Sequence, residues 1–249
     1  MITCDLNCDM GEGIGNDKDI MPFITSANIA CGYHAGDENT MHQTVLLAKE
    51  AGVAIGAHPS FLDRENFGRT EMKDIQPQQV YELVTAQIKT LHTIAKACNA
   101  DLHHIKPHGA LYNMAAKDAH LSMAVARAVF DFNKNLVLFG LSGSYLISVG
   151  KTIGLKTASE VFADRTYQAD GSLTPRTKPD ALIEDEEKSL QQVLEMIKKG
   201  KVTTTSGKEI AIIAETICLH GDGKNAVAFA KAIHDKLTAE GVKIASIKH

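Results

Sequence analysis

No tryptophan occurs in this 249-residue chain, and aromatic residues make up only 5% of it. Sugar-binding sites lean on aromatic platforms, so a carbohydrate-binding role has little support. Cysteine is sparse and odd in number: Cys4, Cys8, Cys31, Cys98 and Cys218 are scattered, and Cys4 and Cys8 do not form a CxxC pair. That pattern argues against a disulfide framework and a thiolate metal site, and reads as reduced, mostly buried thiols of a cytoplasmic protein. No apolar run reaches the roughly 18 residues that would suggest a membrane span. The opening MITCDLNCDMGEG carries acids instead of a basic segment and does not read as a signal peptide. No basic block stands out and the formal net charge is -4, so neither nucleic acid nor a membrane surface is expected as a partner. Common catalytic signatures are missing too. The first strand is not followed by GxGxxG. Gly221-Asp222-Gly223-Lys224-Asn225 and Ser206-Gly207-Lys208-Glu209 lack the rest of a Walker A loop, and Gly140-Leu141-Ser142-Gly143 is not GxSxG.

What is present is enough apolar material for one large core: 44% hydrophobic and 22% charged residues. Strand-like runs alternate with helical stretches from end to end. The strands are expected at Ile2–Cys8, Ser26–Ala30, Ala54–Ala57, His103–Lys106, Leu136–Leu141, Lys156–Val161 and Glu209–Cys218. The helices are expected at Thr40–Ala51, Pro77–Cys98, Ala119–Phe130, Gly143–Ile153, Asp185–Lys198 and Asn225–Ala239. The clearest helix is the second, where Val80, Leu83, Val84, Gln87, Ile88, Leu91, Ile94 and Ala95 keep the rhythm of one buried face. Gly52 and Asn99 are placed to end the first two helices, and Asp222 or Gly223 to start the last. Such alternation predicts parallel strands with right-handed crossovers. The expected architecture is therefore α/β: a single-domain, distorted seven-stranded (β/α) barrel over residues 1–249, with an open doubly wound sheet as the alternative.

The informative departure is polar residues at the strand ends. A strand that only packs should be apolar, and repeated exceptions at one end of successive strands mark the catalytic rim of a barrel. Side chains two apart share a face, so Asp5, Asn7 and Asp9 look one way while Cys4, Leu6 and Cys8 look the other. His104, Lys106 and His108 repeat the pattern, and an inward Lys106 would pair with a carboxylate or stabilise developing negative charge. His103 is off that face. His58 ends a small-residue strand, His34 and Asp37 flank a glycine-rich turn, Glu160 closes another strand and His220 the last. Asp9, His58, Lys106, His108, Glu160 and His220 are the catalytic candidates; Asn7, His34, Asp37, Arg165 and Arg176 are candidates for holding substrate. Imidazoles and carboxylates in one pocket suit acid–base work and also suit a divalent metal, although no HExxH or CxxC spacing fixes one. Two irregular stretches, around Asp63–Asp74 and Ala163–Leu182, carry Arg69, Arg165 and Arg176. The longer one is expected to be a structureless lid, and a guanidinium beneath it would recognise a small acid.

The ordered motifs DLNCDMGE, NIACGYHAGD, GAHPSF with DRENFGR, IKPHGALY, SEVFADRTY, LTPR and ICLHGD resemble the LamB/YcsF family over essentially the whole chain. The resemblance implies a distorted barrel related to polysaccharide deacetylases and some glycoside hydrolases. It implies ATP-dependent ring opening of 5-oxo-L-proline to L-glutamate, with ATP as co-substrate and subunits B and C of a 5-oxoprolinase as partners. The missing P-loop is consistent with a nucleotide site on, or shared with, those partners, or with a non-standard site on this chain. In this scheme Asp9, His58 or His108 would be the base for water, Lys106 would stabilise oxyanion or phosphate charge, and Arg165 or Arg176 would hold the substrate carboxylate. A stand-alone metal-dependent amidohydrolase or deacetylase, and a non-catalytic subunit that only binds a small acid, remain the alternatives.

Overall fold

A computed structural model describes residues 2–219 and 226–248. Strands β1 (Thr3–Met10), β2 (Ser26–Ala30), β3 (Ala54–His58), β4 (Leu102–Ile105), β5 (Val137–Leu141) and β6 (Lys156–Phe162) pair in chain order, all parallel. The next two, β7 (Lys201–Thr203) and β8 (Glu209–Ala211), form an antiparallel hairpin of their own. β9 (Thr216–Leu219) then inserts between β6 and β1 and closes a seven-stranded parallel barrel. A short β10 (Lys243–Ile244) extends the sheet at the start of β1.

Helices α1 (Asp17–Ile20), α2 (Glu38–Ala51), α3 (Pro77–Ala97), α4 (Gly109–Lys117), α5 (Ala119–Asn133), α6 (Tyr145–Thr152), α7 (Glu186–Lys199) and α8 (Ala226–Ala239) form the connections. Their termini follow local chemistry. Asp37 caps α2 and Asp185 caps α7 through main-chain amides, and Gly52 ends α2 at φ 69°. Asn99 takes φ 53° just past α3, the left-handed turn expected of it. The expected cap of the last helix, at Asp222 or Gly223, lies outside the described residues.

The outer layer is apolar. Leu6 and Cys8 of β1, Ile29 of β2 and Val161 of β6 meet Val80, Val84, Ile88 and Leu91 of α3 and the apolar faces of the other helices in one core. All five cysteines are buried and unpaired as disulfides. Among the described residues no helix is long and apolar enough to cross a membrane.

Three expectations need correction. The run Glu209–Cys218 is two strands. A turn closed by Thr204 N donating to Lys208 O (2.9 Å), with Gly207 at φ 80°, folds β8 back onto β7, so the chain must change partners before it can enter the barrel. Helix α4 is an addition to the expected elements; its nine residues begin at the glycine of a Lys-Pro-His-Gly sequence that reads as loop. The stretch Ala163–Leu182 is not structureless. Antiparallel bridges Arg165↔Leu182 and Tyr167↔Leu173 hold it, and Tyr167 is fully buried beneath it.

Candidate active site

The barrel interior is built from the polar faces of the strands. Register aligns Asp9 with Asn28, Asn28 with Gly56, and Gly56 with His104, so these positions face inward in one band. Gly56 is obligatory there: a Cβ would lie 2.1 Å from the His104 imidazole. His104 Nε2 donates to Asn28 Oδ1 (2.8 Å), and the ring stacks on Phe139 at 4.2 Å. Asn28 Nδ2 in turn donates to Asn7 Oδ1 (2.7 Å) and Asp9 Oδ1 (2.9 Å), and Asn7 Nδ2 to Thr216 Oγ1 (2.7 Å). Deeper still, Asp5 accepts from Thr25, Ser26 and Thr216 hydroxyls. Burial raises its pKa to about 6, and those hydroxyl bonds pull the other way. Buried polar groups are tolerated at this density because nearly every one is satisfied by another.

Lys106 is the hub. It follows β4, stays laddered through its N–H to Ala57 O (3.0 Å), and is turned inward before Pro107. Its Nζ reaches Glu160 Oε1 (2.8 Å), Asp9 Oδ1 (2.9 Å), Asn7 Oδ1 (3.1 Å) and Cys218 Sγ (3.1 Å). Burial alone would discharge the ammonium, but the Asp9 and Glu160 carboxylates and the Cys218 sulfur outweigh it and hold the pKa well above the usual lysine value. Lys106 is therefore a fixed cation and not a base. Glu160 Oε2 accepts from Tyr112 Oη (2.6 Å), and the carboxylate raises the phenol pKa further above the value that burial already gives it.

Beside this pair stands a cluster of imidazoles. His34 and His108 are stacked at 3.8 Å and 5°. His58 Nδ1 meets Lys106 O (2.7 Å), and its Nε2 lies 2.9 Å from His108 Nδ1 and 3.2 Å from Asp9 Oδ2. His108 Nε2 meets Phe67 O (2.9 Å), and His34 bridges Ser60 Oγ (2.8 Å) and Glu12 Oε1 (3.2 Å). Burial, then the neighbouring rings, push His34 down to about 3 and His108 well below the ordinary histidine value, so both are neutral near pH 7. Glu12, His34, His58 and His108 each offer one donor atom within 4.8 Å of the others, a set able to hold a metal.

Above these groups a cavity of about 470 Å³ opens at the C-terminal ends of the strands. Asp9, Glu12, His58, Lys106, His108 and Tyr112 form its floor, and Phe67, Arg69, Glu71, Arg165 and Leu173–Thr177 are among the other residues that line it. Of the expected residues, Asp9, His58, Lys106, His108, Arg165 and Arg176 line this cavity. Asn7 and Glu160 lie beneath Lys106, and His34 lies behind His108. Arg165 is largely committed to its own loop, donating to Ala181 O (3.2 Å) and Thr174 O (2.5 Å); burial, aided by Arg176, lowers it to about 10, which leaves it charged. Asp37 is not brought in. It is exposed, and its carboxylate is spent on Thr40 N (2.8 Å) and Thr40 Oγ1 (2.9 Å) as the cap of α2. His220 lies outside the described residues. Sequence reasoning misses Glu12, Asn28, Ser60 and Tyr112. Glu12 has a usable signal, being three residues past Asp9 in the same acidic motif; Tyr112 ends the IKPHGALY motif, but it belongs to α4, which reads as loop, so nothing local points its phenol at Glu160.

The LamB/YcsF family model matches residues 4–249. The chain belongs to the LamB/YcsF family. It is 57% identical over 249 residues to a Shouchella clausii protein named as the A subunit of 5-oxoprolinase, covering 98% of each chain. The Bacillus subtilis protein of the same name is 50% identical, with 99% of this chain and 98% of the relative covered. The crystal structure of the lactam utilization protein from Thermus thermophilus superimposes with a TM-score of 0.91 at 39% identity, covering 99% and 100% of the two chains. At the level of fold alone, the barrel is similar to peptidoglycan deacetylase PdaC from Bacillus subtilis (TM-score 0.53, 10% identity, 99% and 88% covered). A GH113 β-1,4-mannanase gives a TM-score of 0.51 at 12% identity, with 96% and 100% covered. The expected likeness of fold to deacetylase and glycoside-hydrolase barrels is thus observed.

Proposed function

We propose that this chain is the A subunit of an ATP-dependent 5-oxoprolinase, opening 5-oxo-L-proline to L-glutamate together with subunits B and C. The observation that carries the reading is the Lys106–Asp9 ion pair, set on the floor of a cavity walled by arginines, in a family whose members bear that name. A small cyclic amide with one carboxylate matches it. Arg69 and Arg176, which both line the cavity, would supply positive charge for the carboxylate, and the Lys106 ammonium would stabilise negative charge gathering on the lactam oxygen.

An unstrained lactam is a poor electrophile. Transfer of the γ-phosphoryl group of ATP to the lactam oxygen releases ADP and makes the ring carbon electrophilic. Water then adds to that carbon and loses a proton to a base. Ring opening breaks the C–N bond, and a second water hydrolyses the phosphate to leave glutamate and inorganic phosphate. Among the three candidate bases the geometry favours Asp9. His58 and His108 spend one nitrogen each on a backbone carbonyl and turn the other toward each other. Asp9 has Oδ1 fixed by Asn28 and Lys106, which orients Oδ2 beside the cavity. Asp9→Asn is then expected to lower kcat by at least about a hundredfold while leaving the fold intact.

The test is glutamate release from 5-oxoproline and ATP by this chain alone and with candidate B and C subunits. Release only in the mixture is expected. Release without ATP by the chain alone would favour a stand-alone amidohydrolase, and no release in any mixture of folded chains would end the 5-oxoprolinase reading.

A further inference from the structure

The hydrogen-bond partners of the three clustered histidines fix where their hydrogens sit. A main-chain carbonyl can only accept, so the nitrogens facing Lys106 O and Phe67 O, His58 Nδ1 and His108 Nε2, must carry hydrogens. Ser60 Oγ donates to Phe61 O (3.0 Å), which leaves its lone pairs to accept from His34 Nδ1. A neutral imidazole has one N–H only. The remaining nitrogens, His34 Nε2, His58 Nε2 and His108 Nδ1, are the ones each neutral ring would offer to a metal, and with a Glu12 oxygen these donor atoms lie within 4.8 Å of one another.

His58 Nε2 and His108 Nδ1 are 2.9 Å apart, His34 Nε2 is 3.2 Å from Glu12 Oε1, and His108 Nδ1 is 3.8 Å from the same oxygen. Asp9 Oδ2, 3.2 Å from His58 Nε2, brings a further anionic atom to the rim. So close a set of donor atoms, three imidazoles and a carboxylate, suits a shared cation. We propose that Glu12, His34, His58 and His108 bind one divalent transition-metal ion of borderline softness, such as zinc. Bonds of about 2.0–2.1 Å in a tetrahedral site place ligand atoms about 3.3 Å apart; three of the six separations here are 2.9, 3.2 and 3.8 Å, and the whole set lies within 4.8 Å, so the side chains would draw in around the ion.

The supporting groups have the form expected around a metal, where each ligating histidine donates its second nitrogen to a fixed acceptor. The acceptor of His34 is itself anchored from the helical layer: Gln87 of α3 grips both Ser60 N (2.9 Å) and Ser60 O (2.8 Å). The glycines of the adjoining loop allow the close approach. A Cβ on Gly68, at φ +66°, would lie 2.9 Å from His34 Cβ and 3.0 Å from His108 Cδ2. The site adjoins the cavity, since Glu12, His58 and His108 belong to its floor. The inference stands on this geometry and does not depend on the 5-oxoproline reaction.

The test is metal binding by the untagged full-length chain, stripped with a chelator and dialysed. Titration with Zn²⁺ by calorimetry should give one equivalent, and Co²⁺ should give the visible absorption of a low-symmetry, histidine-bound cobalt site. His34→Ala and His108→Ala should each weaken Zn²⁺ binding by at least a hundredfold. Ser60→Ala, which touches no metal, should weaken it by about ten- to a hundredfold through the loss of the His34 acceptor. Circular dichroism checks that each variant is folded. Failure of the folded wild-type chain to take up either ion would overturn the proposal, as would unchanged binding by a folded His34→Ala/His108→Ala double variant. Because the readout is binding, a negative result here is separate from a negative glutamate assay.

Discussion

The inside of the barrel and the layer outside it are made of opposite materials. Outside, between strands and helices, Leu6, Ile29, Val84, Ile88 and Leu91 build a continuous apolar core. Inside, Asp5, Asn7, Asp9, Asn28, His104, Lys106 and Glu160 are as deeply buried, yet they hold one another through hydrogen bonds and ion pairs. Only Val137, Phe139 and Ala158, with Ile247 against them, form a small apolar patch apart from the main core among the described residues. The difference teaches where stability and chemistry reside. Apolar burial in the shell is non-directional and drives folding; the polar interior is directional, contributes little net stability, and holds groups in fixed protonation states at the cavity floor.

Removing one side of the inner ion pairs should give the largest effect. Lys106→Ala leaves Asp9 and Glu160 buried without their cation, and is expected to cost about 3–5 kcal/mol in urea denaturation together with turnover. Lys106→Met combined with Glu160→Gln should recover part of that stability without recovering activity, which separates the two roles. Leu91→Ala in α3 probes the shell. Loss of a fully buried leucine should cost about 2–5 kcal/mol, with kcat and KM of the surviving folded enzyme unchanged.

Asp5 sharpens the comparison through pH. Its folded pKa is raised, to about 6 from an ordinary 3.8, so the folded state binds the proton more tightly than the unfolded chain. This contribution is fully present below about pH 4 and is lost as pH rises through about 6; the shift corresponds to a loss of order 3 kcal/mol. Unfolding free energies measured from pH 4 to 7 should show this slope in the wild type and not in Asp5→Asn. The smallest effect is expected outside both layers. Asp37→Ala should lower the thermal midpoint slightly through loss of the α2 cap and leave glutamate formation as it was; a large loss of turnover would return Asp37 to the site.

Much of this is legible in the sequence because it is local. The period-two alternation puts Asp5, Asn7 and Asp9 on one face of β1, and the hydrogen bonds find them there. The one-sided rhythm of α3 names its buried residues, and Gly52 and Asn99 mark helix ends. Asp37 shows the limit. An acid beside a glycine-rich turn reads equally as ligand or cap, and only the course of α2 assigns its carboxylate to Thr40. The split of Glu209–Cys218 shows another, since a β-rich run does not say where it changes partner.

The sequence by itself determined the order of strands and helices and which side chains share a strand face, because backbone geometry imposes those periods within a few residues. Only the tertiary structure decided that β9 closes onto β1, that Lys106 meets Asp9 and Glu160, and that Glu12 joins three histidines. It also decided which nitrogen of His58 and of His108 must carry a hydrogen, because the carbonyls of Lys106 and Phe67 can only accept. Every backbone carries such acceptors, and which of them a ring meets depends on closure of the barrel and the path of its loops, which no local period encodes.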